Sequence, residues 1–214
     1  MLSMNQYIDL MIPRGGAELI RYVSDKATMP SITGGIGVCH IYVDSISDIP
    51  MAVSIVDNAK TSNPYVCNAV DTVILHSDIA SVFLNMLLDK LIDKNVKFKC
   101  DPYAINIIQQ KHKIRDNIFE AEQTDWGKEF LGLTLAIKVV NSFDSAISHI
   151  QNFGSGHTEC IITSIPQNAD KFLREIDASV VFLNSSTRFN DGSELGLGAE
   201  VAISTNKIHA RGPM

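Results

Sequence analysis

Asn58-Ala59-Lys60-Thr61-Ser62-Asn63-Pro64-Tyr65-Val66-Cys67-Asn68-Ala69-Val70-Asp71-Thr72 sets a proline-stiffened loop between two patterns of different period. Before it, Met51, Ala52, Ile55, Val56 and Ala59 recur at helix spacing across residues 49–60. After it, residues 72–76 form a short apolar run of strand character. Helix, loop and strand in that order make one step of an α/β chain. Cys67 stands in the loop, held by a rigid element on either side, where a thiol can face a cleft as covalent catalysis requires. Free cysteines are also commonly small buried apolar residues, so spacing alone leaves both readings open.

Outward from this stretch the same rhythm continues. Toward the amino terminus, residues 39–43 read as a strand, preceded by the glycine loop Gly34, Gly35 and Gly37. His40 stands where the last glycine of a GxGxxG dinucleotide fingerprint would fall, so that motif is absent. Residues 17–26 carry Leu19, Ile20 and Val23 on one helix face, and the apolar run 7–13 reads as a buried strand. The turn at Arg14, Gly15 and Gly16 between them could offer backbone N–H groups to an anion.

Toward the carboxyl terminus, helices are expected at 81–94, at 102–110 with Asp101 as cap, at 144–152 and at 168–176. Strands are expected at 96–100, 133–140, 157–163 and 180–183. Residues 111–122 carry too weak a period to assign. Strands alternating with helices imply a three-layer α/β fold, a largely parallel sheet flanked by helices.

A hydrophobic content of 45% and a charged content of 20% describe a globular chain. The net charge of −6, with no basic run, argues against a nucleic-acid binder. No apolar stretch reaches the ~20 residues a membrane span needs, and the first residues do not read as a signal peptide, which points to the cytoplasm. The cysteines Cys39, Cys67, Cys100 and Cys160 are scattered, with no CxxC pair. Cys39 with His40, and His157 with Cys160, are lone pairs, and a metal centre needs about four ligands, so no metal is expected.

Six stretches, taken together, carry a resemblance. IPRGGAELI (12–20), TGGIGVCHIYVD (33–44), NAKTSNPYVCNA (58–69), GSGHTE (154–159), NSSTRF (184–189) and GLGAEVAISTNKIHARGPM (196–214) occur in one order along the chain. Together they resemble the gamma-glutamyl phosphate reductases, a family of the aldehyde dehydrogenase superfamily. The resemblance implies NADPH-dependent reduction of L-glutamyl 5-phosphate to L-glutamate 5-semialdehyde, with release of phosphate, in proline biosynthesis. It makes Cys67 the nucleophile, which would expel phosphate and carry the acyl group as a thioester. A useful thiolate fraction at neutral pH would then call for a thiol pKa below its ordinary value. The N–H of Cys67 and the amide of Asn68 are candidate oxyanion donors.

Other roles follow from the same resemblance. Arg14, Gly15 and Gly16 match the turn beside the nicotinamide, and Glu129 matches a glutamate that holds the nicotinamide ribose. Ser186, Thr187 and Arg188, with His157 as a weaker candidate, suit a substrate bearing carboxylate, ammonium and phosphate groups. Thr33 stands where hydrolytic relatives in the superfamily carry a water-activating glutamate, which favours reduction over hydrolysis. The family's chains are longer, so the sequence is expected to be a fragment, either truncated or natural. On that reading residues 1–45 are a remnant of the cofactor domain, 46–195 the thiol-bearing catalytic domain and 196–214 a segment returning toward the cofactor domain. A homo-oligomer is implied, and a catalytically silent module that binds NADPH poorly is the alternative.

Overall fold

The computed structural model describes residues 1–111, 116–207 and 211–214. Residues 112–115 of the unassigned stretch, and 208–210 of the last motif, lie outside the described residues. One sheet contains β1 (Cys39–Val43), β2 (Val70–His76), β3 (Lys97–Cys100), β4 (Ile118–Glu120), β5 (Thr134–Val140), β6 (Thr158–Ile162) and β7 (Val180–Leu183). Their order across it is β4-β3-β5-β2-β1-β6-β7, and each neighbouring pair is parallel. The helices are α1 (Ala17–Lys26), α2 (Ile49–Thr61), α3 (Ser77–Leu91), α4 (Pro102–Lys111), α5 (Phe143–Phe153) and α6 (Pro166–Glu175).

Right-handed crossovers between parallel strands decide which face each helix covers. From β1 the chain steps toward the β4 edge, so α2, α3 and α4 fall on one face. From β5 it steps the opposite way, so α5 and α6 fall on the other. The first face buries Ile41, Val43, Val73, Leu75 and Ile137 against Val56, Phe83, Leu87 and Ile108. The second buries Tyr42, Ile74 and Ile161 against Ile147, Ile150 and Phe172. The three-layer parallel fold expected from the sequence is therefore the fold of the chain. Strands sandwiched in this way are buried along their whole length, as β1 and β6 are.

Local chemistry sets the helix starts. Asp48 caps α2, accepting from Met51 N at 2.9 Å, with Pro50 in the first turn. Asp101 caps α4 through Ala104 N at 2.8 Å and also accepts from Val139 N on β5 at 3.0 Å, tying helix to sheet.

Three sequence expectations need correction. Residues 7–13 form no strand: Tyr7, Leu10 and Ile12 are exposed, and among the described residues the run's only ladder contact is an isolated bridge from Met11 to Ser31. β4 was not expected, being three residues long and at the sheet edge. α3 starts at Ser77, directly out of β2, rather than at residue 81. In addition β1, which a boundary at residue 45 would group with the amino-terminal segment, lies mid-sheet between β2 and β6. The sheet therefore spans that boundary. In the carboxyl-terminal segment Ser204 bridges Gly34 and Gly212. Among the described residues no helix is long and apolar enough to cross a membrane.

Candidate active site

The loops ahead of β1, β2 and β6 carry TGGIG, the Cys67 stretch and GSGH respectively. They converge at the amino-terminal edge of the sheet, whereas open α/β sheets usually take ligands at the carboxyl edge. NSSTRF follows β7 and so begins at the far edge, then runs back along β6. Asn184 Oδ1 accepts from Thr163 N at 2.9 Å, the Cys160 thiol donates to Ser185 O at 3.0 Å, and Asn190 Nδ2 donates to Thr158 Oγ1 at 2.7 Å. This return brings Arg188 to Asn68, whose Oδ1 accepts from the guanidinium.

Cys67 is half-buried on a cleft of about 330 Å³ shared with Arg14, Gly15, Gly35, Glu200 and Ile203. Burial pushes its thiol up to about 11, and the Glu129 carboxylate adds to the rise. The residue's own backbone N–H and, more weakly, Arg188 oppose it. The lowered pKa expected for a primed nucleophile is therefore not present in this state. Burial outweighs the cation.

The glycine loop grips Cys67 from below. A Cβ on Gly37 would sit 1.9 Å from the Cys67 carbonyl oxygen, so only glycine permits this approach. Gly37 N donates to Glu129 Oε1 at 2.9 Å, and the Cys39 thiol donates to Cys67 O at 3.2 Å. Glu129 thus lies beside the loop that holds Cys67, with one oxygen spent on Gly37. Its loop is held from beneath by two buried groups. Asp71 Oδ1 accepts from Phe130 N at 3.0 Å, and Lys60 Nζ donates to Gly132 O at 3.2 Å and lies 3.7 Å from Asp71. Between those anchors Leu131 takes a left-handed φ of 46°.

The remaining expectations separate. The side-chain amide of Asn68 donates to Asn190 O at 3.0 Å and to Arg188 O at 3.4 Å, and its oxygen is taken by Arg188. Both ends are engaged in holding the returning segment, so in this state it is not free to meet an oxyanion. The Cys67 N–H, which faces its own sulfur, remains. Ser186 is buried and accepts from Arg188 N at 3.3 Å, capping the short turn that follows. Thr187 is fully buried, its hydroxyl unpartnered among the described residues, as is Arg188 Nε.

His157 does not line the cleft. It is fully buried behind Cys39, with Nδ1 2.7 Å from Thr158 Oγ1 and 3.7 Å from Cys39 Sγ. Burial lowers its pKa to about 4, against about 6.5 for an ordinary histidine. The unfolded chain therefore binds a proton that the folded chain refuses. The resulting stability is full above about pH 6.5 and is lost as pH falls toward about 4, amounting to about 2 kcal/mol at pH 5. His157→Gln cannot take up that proton. Urea unfolding at pH 7 and pH 5 should show the parent losing about 2 kcal/mol more than the variant.

Thr33 is buried and donates to Asn206 Oδ1 at 2.8 Å, so its hydroxyl is engaged in holding the carboxyl-terminal segment. Among the described residues no three His, Cys, Asp or Glu side chains gather as metal ligands would. Sequence reasoning missed Lys60, Asp71, Asn190 and Glu200, and it named Gly37 and Cys39 without giving them a part in this site. The Lys60–Asp71 pair lies within the stretch that organises the chain, but no local pattern distinguishes it from surface charge. Glu200 reaches the cleft from the far end of the chain and accepts from Gly192 N at 2.7 Å.

No family model matches the chain. A gamma-glutamyl phosphate reductase from Clostridium botulinum is 50% identical over 214 residues, which is 100% of this chain and 50% of that protein. The crystal structure of gamma-glutamyl phosphate reductase from Thermotoga maritima matches with a TM-score of 0.94 at 42% identity, covering 100% of this chain and 50% of that one. A propionaldehyde dehydrogenase from Clostridium phytofermentans, 19% identical with a TM-score of 0.72 over 100% of this chain and 55% of that one, shares the fold. The chain spans about half the length of the curated relatives it matches. Over its whole length, then, it is a homologue of the gamma-glutamyl phosphate reductases, aligned with about half of each.

Proposed function

We propose that this chain carries the thiol half of a reductase that converts L-glutamyl 5-phosphate to L-glutamate 5-semialdehyde in proline biosynthesis. The observation that carries this reading is the placing of Cys67. Cys67 lines a cleft with Arg14, and Arg188 lies behind it through Asn68; the resemblance sets Thr33, with no carboxylate, at the hydrolytic position. In the reading, deprotonated Cys67 Sγ attacks the acyl carbon, the C–O bond to phosphate breaks, and inorganic phosphate leaves with the bonding pair. The acyl group stays on sulfur as a thioester. Arg14 offsets the charge of the departing phosphate, and Arg188 that of the substrate carboxylate. The N–H of Cys67 meets the developing oxyanion.

NADPH, when bound, supplies the hydride that brings the acyl group to the aldehyde level. The residues present suit its nicotinamide end. Gly15 and Arg14 line the same cleft as Cys67, Gly16 starts α1 without a side-chain cap, and Glu129 has one carboxylate oxygen beyond the one held by Gly37. Exposed Tyr7, Leu10, Ile12 and Tyr22 favour a homo-oligomer, expected as a mass above 23.5 kDa by light scattering. The test of function is the reverse reaction of this 214-residue chain. Semialdehyde and phosphate should together drive reduction of NADP+, and Cys67→Ser should abolish it. Reduction that persists in Cys67→Ser would overturn the reading, and no reduction with intact Cys67 would favour a silent module.

A further inference from the structure

Behind the nucleophile lies a buried polar chain that runs from the Asn68 side chain round to the Cys67 carbonyl. Asn68 Nδ2 donates to Asn190 O, Asn190 Nδ2 donates to Thr158 Oγ1, and Thr158 Oγ1 lies 2.7 Å from His157 Nδ1. His157 Nδ1 in turn lies 3.7 Å from Cys39 Sγ, and the Cys39 thiol donates to the carbonyl of Cys67 at 3.2 Å. The chain therefore begins on the side chain after the nucleophile and ends on the nucleophile's own carbonyl. Cys39, Asn190 and His157 are each fully buried.

We infer that Cys39 is a positioning residue for Cys67: its S–H, set on the first residue of β1, fixes the peptide between Cys67 and Asn68. This rests on the reading of Cys67 as the nucleophile. A planar peptide has one orientation once its carbonyl is held. Here that carbonyl is held twice, by the thiol and by Gly37 packed against it. Cys39 suits the task because it is a donor that stays protonated. Burial, with Glu159 and Asp71 nearby, raises its pKa well above the ordinary range. β1 lies mid-sheet between β2 and β6, so the donor stands on one of the most rigid elements of the fold.

The role predicts an asymmetry between two reactions of one thiol. Acyl transfer passes through a tetrahedral oxyanion and depends on how sulfur and N–H are set relative to each other. Alkylation is a direct displacement with no oxyanion and depends on access and ionisation alone. The full chain and its Cys39→Ala and Cys39→Ser variants would be acylated with 4-nitrophenyl acetate and alkylated with iodoacetamide, with Cys67 identified as the site by mass spectrometry. In the acylation, Cys67 sulfur bonds to the acetyl carbon and 4-nitrophenolate leaves, its colour giving the rate.

Cys39→Ala should slow acylation of Cys67 about tenfold, equivalent to about 1.4 kcal/mol, while leaving alkylation within about twofold. Cys39→Ser, which keeps a donor, should restore most of the acylation rate. The inference is overturned if Cys39→Ala slows both reactions alike, or neither, or if serine does no better than alanine. It is also overturned if the parent Cys67 is alkylated but not acylated by the ester. Acylation by the ester but not by an acyl phosphate would instead sink the reductase reading, and leave the role of Cys39 standing.

Discussion

Gly37→Ala is expected to lower stability by about 3 kcal/mol, and with it the melting temperature by roughly 6–12 °C. The added Cβ would lie 1.9 Å from the carbonyl oxygen of Cys67, 2.6 Å from its carbonyl carbon and 2.7 Å from its Cα. All three are backbone atoms, so no rotamer change can relieve the clash, and the Cys67 loop itself must move. A displacement of about 1 Å at a reacting group can cost on the order of 100-fold in rate, so acyl transfer to Cys67 should fall at least that far. Gly16→Ala is the control. No atom lies within 4 Å of its added Cβ, and its φ of −68° suits any residue. Its stability should stay within about 0.5 kcal/mol of the parent, as read from thermal melts of the three proteins.

The second large effect concerns the charges under the Glu129 loop. Lys60 is fully buried and Asp71 nearly so, and burial pushes the Asp71 carboxyl up to about 6 while Lys60 pulls it back. Lys60→Met would leave Asp71 without its cation and Gly132 O with the Thr134 N–H as its remaining donor. Removing one partner of a buried pair costs about 3–5 kcal/mol. The double variant Lys60→Met, Asp71→Asn removes both charges and keeps an acceptor for Phe130 N. It should recover more than half of that loss in urea unfolding at pH 7. Losses that simply add would show that the two groups do not stabilise each other.

What the sequence made legible follows from how local each signal is. α2 was readable because its 3.6 period, and β2 because its apolar run, are written in consecutive residues, and the cap Asp101 stands at its own helix start. The position of Cys67 in the loop between them was readable for the same reason, while its reading as a nucleophile rests on the resemblance. Residues 7–13 failed because an apolar run becomes a strand only if a neighbouring strand takes its backbone groups, and none does here among the described residues. The ionisation of Cys67 was not legible, because burial and Glu129 act on it across the fold rather than along the chain. The same limit hid Glu200 and Cys39. One reaches the cleft from the carboxyl-terminal segment, and the other reads in sequence as an ordinary apolar strand residue.

The proposal that Cys67 accepts an acyl group from a phosphate is tested most directly by intact-mass analysis of the chain after mixing with L-glutamyl 5-phosphate without NADPH, with phosphate release measured in parallel. The expected result is one glutamyl group per chain, mapped to Cys67, removed by hydroxylamine and matched by one phosphate released. Phosphate release without a protein adduct, or an adduct that survives in Cys67→Ser, would contradict it.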